Sequence, residues 1–324
     1  MTSAFYPLLL MEEHEDDQYC YQDKNSSCRK NSISASFYIT LYIFISIISA
    51  VIAFLNLLVI ISISKFKQLH TPTNLLILSL AVSDLLVGLI VIPAMTVSIM
   101  EPCWGGGGYF CALLLFINIL CSSSSLGNLV LISIDRYVAV CDPLVYHSKI
   151  TIRRTICCIF ITWICCVIND AVVIETYINV QVPSRCVEEC FFAEGDFLVR
   201  TIDVAISLVV PFSIIMILYL KIFIVATSQA RKISSNGFTD VSAVKTVQAN
   251  KSERKAAKTL GIVVFNYLIC WNPLIYVFFL FLPTAYIITF LPHVNSLINP
   301  IIYAFFYPWF KLTAKHVLTL NVMH

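Results

Sequence analysis

Asp135-Arg136-Tyr137 puts a carboxylate, a guanidinium and a phenol in consecutive positions at the end of a long apolar segment. An ion pair in such a place is either an ordinary membrane-edge salt bridge or a bistable element that opens when one charge is drawn away. Asp84 is a second acid, set in the middle of an apolar run, where an ionisable group is costly and marks function. Other apolar runs carry short polar lists: Asn56; Asn118, Ser122 to Ser125 and Asn128; Trp163, Asn169 and Asp170; Asp203, Ser207, Pro211 and Tyr219. Two more carry Asn266 with Cys270-Trp271-Asn272-Pro273, and His293, Asn295 and Ser296 with Asn299-Pro300-Ile301-Ile302-Tyr303. No nucleophile–base pair or metal-ligand cluster stands out, and the scattered histidines have no ligand spacing. The expectation is a switch rather than an enzyme.

The elements that carry these residues are read from hydropathy. The chain has 324 residues, 59% hydrophobic and 12% charged. A soluble domain carries about 25% charged residues. The balance excludes disorder and argues against a soluble enzyme, and a net charge of +2 gives no hint of nucleic acid. About 20 apolar residues cross a hydrocarbon core. Seven segments qualify: 37–64, 72–99, 108–140, 152–174, 197–228, 256–281 and 285–305. Lys65, Lys67, Lys149, Arg153, Arg154, Arg231, Lys232 and Lys311 gather on one side, and Glu101, Glu188, Glu189 and Glu194 on the other. The basic side is cytoplasmic, which puts the N-terminus outside and the C-terminus inside. The expected fold is an all-α membrane protein, a seven-transmembrane helix bundle with a short C-terminal amphipathic helix. Residues 1–36 form an extracellular segment, 37–305 the transmembrane domain, and 306–324 the amphipathic helix and cytoplasmic tail. The start has no basic leader, so the first span is expected to act as an uncleaved anchor. Asn25-Ser26-Ser27 is a glycosylation sequon on the outer side. Cys20, Cys28, Cys103, Cys111, Cys186 and Cys190 also fall there, where disulfides persist. Cys157, Cys158, Cys165 and Cys166 lie within spans and are expected to be free.

Leu80-Ala81-Val82-Ser83-Asp84, Asp135-Arg136-Tyr137, Cys270-Trp271-Asn272-Pro273 and Asn299-Pro300-Ile301-Ile302-Tyr303 occur in this order on the matching segments. Together they resemble the rhodopsin-like (class A) G-protein-coupled receptors over the whole chain. The run from Asn295 through Tyr307-Pro308-Trp309-Phe310-Lys311, with Asp142-Pro143-Leu144 and Tyr146, resembles the trace amine-associated receptors.

The resemblance implies roles. Arg136 pairs with Asp135, and with Glu253 of the sixth helix, at rest. It is freed to meet a heterotrimeric G protein when the sixth helix swings out; a stimulatory type is implied. Asp84 holds an allosteric sodium ion with Ser125, Asn295 and Ser296, with Asn56 and Asn299 nearby; a protonated Asp84 is the other reading. No other cofactor is implied. Pro211, Pro273 and Pro300 kink their helices, Trp271 couples the pocket to that motion, and Tyr219 and Tyr303 meet on the inner side. Cys111–Cys190 is the disulfide implied, with Cys20–Cys186 stapling the N-terminal segment. Spacing leaves other pairings open, and Cys28 and Cys103 add more.

The pocket departs from the family's amine receptors. The third-helix position that usually holds an Asp for the ligand ammonium is Asn118, and the seventh-helix Tyr is replaced by His293. Asp203 lies eight residues before Pro211, about 12 Å up the fifth helix. A branch of the trace amine receptors carries an Asp there, so Asp203 is the expected counter-ion. Asp170 is a second candidate; if both acids face the pocket, a diamine fits, whereas near the headgroups Asp170 would be a solvated acid. Asn118, Ser207, Trp271, Leu274, Ile275 and His293 complete the wall by position.

A retinal photoreceptor needs a seventh-helix Lys, and no Lys lies between Lys258 and Lys311. A transporter would show internal repeats, and none is seen. The alternative kept open is a class A receptor for a neutral odorant or peptide. Phe306 to Lys315 is expected to lie on the membrane surface, with Trp309 and Phe310 in the lipid interface. The expectation is a multi-pass plasma-membrane receptor for a small amine, in chemosensory neurons by resemblance.

Overall fold

A computed structural model describes residues 35–100, 107–178, 201–202, 204–235, 261–262, 265–266, 269–270, 288–306, 310, 312–313 and 315. Helix α1 is Ala35–Lys65 and α2 is Pro72–Leu86. A π-helical turn, Val87–Val91, joins α2 to α3, Ile92–Met100. Helix α4 is Gly107–Cys141, α5 is Pro143–Lys149 and α6 is Ile152–Ile178. A second π-helical turn, Ala205–Val209, leads into α7, Val210–Ser235. A 3-10 helix, Ile288–His293, leads into α8, Val294–Phe306. Among the described residues, five rods are long and apolar enough to cross a membrane: α1, α2 with α3, α4, α6 and the α7 rod with its π turn.

Local sequence explains several boundaries. Thr71 caps α2 by accepting the Asn74 N–H at 3.2 Å, and Pro72 fills the first helical position, where no amide donor is needed. The short α5 interrupts a stretch expected as plain loop. Pro143 opens it, and the Arg154 guanidinium donates to the Ser148 and Lys149 carbonyls at 2.8 and 3.1 Å, satisfying its last turn. In the seventh expected span, 285–305, the described residues open with the 3-10 helix Ile288–His293 and become α-helical at Val294. Helix α7 runs on to Ser235, into the stretch expected as the third inner loop. Most of the sixth expected span lies outside the described residues.

The main core joins α1, α2, α4, α7 and α8 through Val59, Ile77, Leu80, Leu129, Ile132, Ile215 and Tyr303. Large apolar side chains such as Phe44, Phe160 and Phe223 stay exposed on the outer faces, where a bilayer replaces water as the solvent. Two contacts set helix spacing. Ser49 donates to the Gly88 carbonyl, and a Cβ on Gly88 would stand 2.9 Å from the Ala53 nitrogen of α1. A Cβ on Gly127 of α4 would stand 2.5 Å from the Thr162 methyl of α6. At Gly88 the close neighbours include backbone, so glycine is required there; at Gly127 the neighbour is a side-chain methyl that would have to shift.

One expectation is corrected. Phe310 is 4% exposed and belongs to the main core, the same buried cluster as Tyr303. It is buried in the bundle's core rather than lying in the lipid interface, because a full aromatic surface buried against apolar neighbours gains more than one left at headgroup depth. Trp309 lies outside the described residues. Cys157, Cys158, Cys165 and Cys166 are free, as expected.

Candidate functional site

Three polar clusters lie along the bundle axis. The first is built at the C-terminal end of α4, where α2 and α5 meet it. Arg136 Nη2 sits 2.6 Å from Asp135 Oδ2, with Nε at 3.0 Å from the same oxygen. Both residues are buried. Thr73 of α2 bridges the pair: its hydroxyl donates to Asp135 Oδ2 at 2.9 Å and accepts from Arg136 Nη2 at 2.7 Å. Tyr146 of α5 donates to Asp135 Oδ1 at 2.9 Å. Burial, then the Asp135 charge, pushes the Tyr146 phenol up to about 12, so it stays a donor at any physiological pH. The ion pair expected between Asp135 and Arg136 is therefore formed and held from two sides. Thr73 and Tyr146 were not assigned these roles from sequence; nothing in the spacing of Thr71-Pro72-Thr73 signals them. A cavity of about 480 Å³ opens beside the pair, lined by Thr71, Thr73, Asn74, Arg136, Tyr146 and Thr151. Tyr137 turns the other way, packing with Ile222, and its ring centroid lies 5.8 Å from the Lys221 ammonium of α7. Glu253 lies outside the described residues.

The middle cluster surrounds Asp84, which is 1% exposed. Ser296 donates to its Oδ1 at 2.7 Å and Asn299 to its Oδ2 at 2.9 Å. Asn56 reaches the Ser296 carbonyl at 2.9 Å, tying α1 to the same point of α8. Ser125 pairs with Ser83 at 3.0 Å, and Asn295 accepts from Asn266 at 2.7 Å. Of the four residues expected around a sodium ion, Asp84 and Ser296 touch directly, while Ser125 and Asn295 bond to neighbours. The donor set fits a hard cation: a carboxylate, hydroxyls and amide oxygens, with the Asn299 Oδ1 and Asn56 Oδ1 acceptors buried and lacking a donor. Pro300 and Tyr303 follow on α8, both buried, and Tyr219 of α7 packs against the same core as Tyr303.

The third cluster spans α4, α6 and the α7 rod. Asp170 is fully buried, so it is no headgroup acid. Ser123 donates to its Oδ2 at 2.7 Å. The Asn169 amide nitrogen lies 3.3 Å from Asp170 Oδ1 and 3.3 Å from Ser207 Oγ. Ser207 is carried on the π turn Ala205–Val209, a distortion that recurs at functional sites because it re-aims a side chain. Asn118 is half-buried on α4, about one and a half turns before Ser123, and His293 is buried at the foot of the 3-10 turn. Sequence reading named Asp170 and Ser207 separately; their link through Asn169 appears only in three dimensions. Asp203, Trp271, Leu274, Ile275, Cys20, Asn25, Cys186 and Cys190 lie outside the described residues, as does the side chain of Cys111.

Comparison with known proteins agrees with this layout. Residues 55–303 match the family of 7 transmembrane receptors (rhodopsin family). The chain is 39% identical to trace amine-associated receptor 8c of Rattus norvegicus, covering 100% of this chain and 96% of that relative. It is 40% identical to trace amine-associated receptor 8a of Rattus norvegicus, covering 94% of each. It is 39% identical to trace amine-associated receptor 6 of Homo sapiens, covering 94% of this chain and 93% of that relative. A closed ion pair at one end of the bundle, a buried carboxylate midway and a polar cluster toward the other end are thus parts of a seven-helix, multi-pass membrane receptor, not an enzyme: the chain belongs to the trace amine-associated receptors, within the rhodopsin-like family that signals through G proteins.

Proposed function

We propose that the chain senses a small amine at its outer side and activates a stimulatory G protein at its inner side. The observation that carries the reading is the Asp135–Arg136 pair, closed and braced by Thr73 and Tyr146. It is a latched switch of the kind a ligand-driven helix movement opens. The relatives' names supply the ligand class. Asp203 is the anchor for the ligand ammonium, since Asn118 offers no counter-charge; a desolvated ammonium–carboxylate contact combines charge with hydrogen bonding. Asn118, Ser207 and His293 line the same outer region by position, with Trp271, Leu274 and Ile275. The N-terminus is extracellular and the C-terminus cytoplasmic, from the lysine and arginine bias of the loops.

Asp84, Ser125, Asn295 and Ser296 are the residues that would hold sodium, which supplies a positive charge at mid-depth. Ser125 and Asn295 would exchange their present partners, Ser83 and Asn266, to reach it.

The test is cyclic AMP in cells expressing the chain, against a panel of mono- and diamines, with Asp203→Asn beside the parent at matched surface expression. The expected result is activation of the parent by at least one amine and loss of that response in Asp203→Asn. An unchanged response in the variant rejects Asp203 as the anchor. Activation by neutral odorants alone rejects the amine.

A further inference from the structure

Asp170 is a carboxylate with no exposed surface, in the outer half of a membrane-spanning helix. Such a group is costly unless function retains it. Its surroundings are built to keep it as an acceptor. Ser123 has one hydroxyl proton; its contact with Asp170 Oδ2 is 2.7 Å, against 3.3 Å to the Leu120 carbonyl, so the proton goes to the acid. Asn169 aims its amide nitrogen at the other oxygen. The two carboxylate oxygens thus each meet a separate donor, the arrangement that suits the ionised form.

The same amide nitrogen also points at Ser207 Oγ. One –NH2 group therefore bridges the acid of α6 and the hydroxyl of the π turn in the next span. Its two protons serve the two oxygens, and the Ser207 oxygen is held one amide away from a negative charge. In a low-dielectric interior such a charge acts well beyond its direct contacts.

We infer that Asp170 makes the Ser207 wall of the pocket cation-selective, acting as a positioning and electrostatic residue through Asn169 rather than by touching the ligand. The inference rests on the amine reading above and adds a second determinant to it. It assigns the discrimination between an ammonium and a neutral group of the same shape to a residue buried behind the pocket wall. Asp170→Asn removes the charge but keeps a side chain that can accept from Ser123 through its oxygen. Asn169→Leu leaves the charge in place and breaks the relay.

The experiment compares an activating amine with the alcohol in which –OH replaces the amino group. Potency of the amine is read as G-protein activation, and occupancy by the alcohol as competition with that response. The parent, Asp170→Asn, Asn169→Leu and Asp203→Asn receptors are used at matched surface expression. Asp170→Asn and Asn169→Leu are each expected to weaken the amine at least fivefold and to leave the alcohol within twofold, so that the amine-to-alcohol ratio falls. If Asp170→Asn fails to reach the surface, Asn169→Leu decides by the same ratio. A loss shared equally by amine and alcohol overturns the inference, since that marks a structural role. So does an amine response within fivefold of the parent in the variant that decides. Loss of the amine response in Asp203→Asn beside an intact response in Asp170→Asn leaves the amine reading standing and overturns only this one. A parent silent to every amine overturns both.

Discussion

The Tyr146 hydroxyl donates to Oδ1 of Asp135, the oxygen opposite the one that grips Arg136. The carboxylate is thus shared between a cation from its own helix and a phenol from the inner loop. Removing the phenol hydroxyl loosens the acid on one side and leaves the ion pair on the other. A hydrogen bond of this kind is worth about 1 kcal/mol, a roughly fivefold change in an equilibrium. Tyr146→Phe is expected to raise ligand-independent signalling up to about fivefold, read as basal cyclic AMP at matched surface expression. The phenol's raised pKa places any contribution from its protonation below pH 10, with loss only as pH climbs toward 12. The basal signal should therefore show no Tyr146-dependent change between pH 6 and 8. A variant as quiet as the parent would show that Thr73 alone holds the latch.

Sodium should oppose the amine if Asp84 and its oxygen neighbours hold it in the resting bundle. Replacing sodium with a bulky organic cation is expected to strengthen amine potency by about fivefold, roughly 1 kcal/mol of coupling. Asp84→Asn, which removes the charge but not the volume, should abolish that difference. Persistence of the sodium effect in the variant places the ion elsewhere.

The α4–α6 crossing gives a prediction about stability alone. Gly127→Ala puts a methyl 2.5 Å from the Thr162 methyl. Overpacking of this kind costs about 1–3 kcal/mol. The purified receptor in detergent should melt at a lower temperature. Thr162→Ser removes the opposing methyl and should recover most of the loss in the double variant. Equal melting of Gly127→Ala and parent would mean that the helices part without cost.

Phe310 offers a check on where the segment after α8 lies. As a buried member of the main core, its truncation to Ala should cost about 3 kcal/mol or more, measured as thermal unfolding in detergent. An aromatic resting at headgroup level would leave stability in detergent nearly unchanged.

Much of this was legible before any coordinates. Hydropathy located α1, α2 with α3, α4 and α6 to within a few residues, because a bilayer demands length and apolarity that few other contexts do. The pairing of Asp135 with Arg136 was legible through the family resemblance of Asp135-Arg136-Tyr137, and the burial of Asp84 because an acid in the middle of an apolar run marks function. What escaped was lateral. Thr73, Tyr146 and Asn169 are ordinary polar residues in one dimension, and become braces and relays only where helices cross. Phe310 was misread because an aromatic beside lysines fits a membrane surface as well as it fits a core; only packing decides. The count from Pro211 back to Asp203 in the fifth expected span also assumed an unbroken α-helix, and the π turn Ala205–Val209 lies across it.

That turn and its counterpart at Val87–Val91 change the phase of their rods. An α-helix rotates about 100° per residue, and a π turn inserts roughly one residue without adding a full turn. Outer and inner halves of these two rods are thereby set at angles that no single helical wheel describes. The half proposed to face the ligand can be re-clocked by substitution while the half carrying Asp84, or Tyr219, keeps its bearings. Two of the spans thus behave as gear shafts cut in the middle, in which ligand preference can drift while the signalling end stays in register.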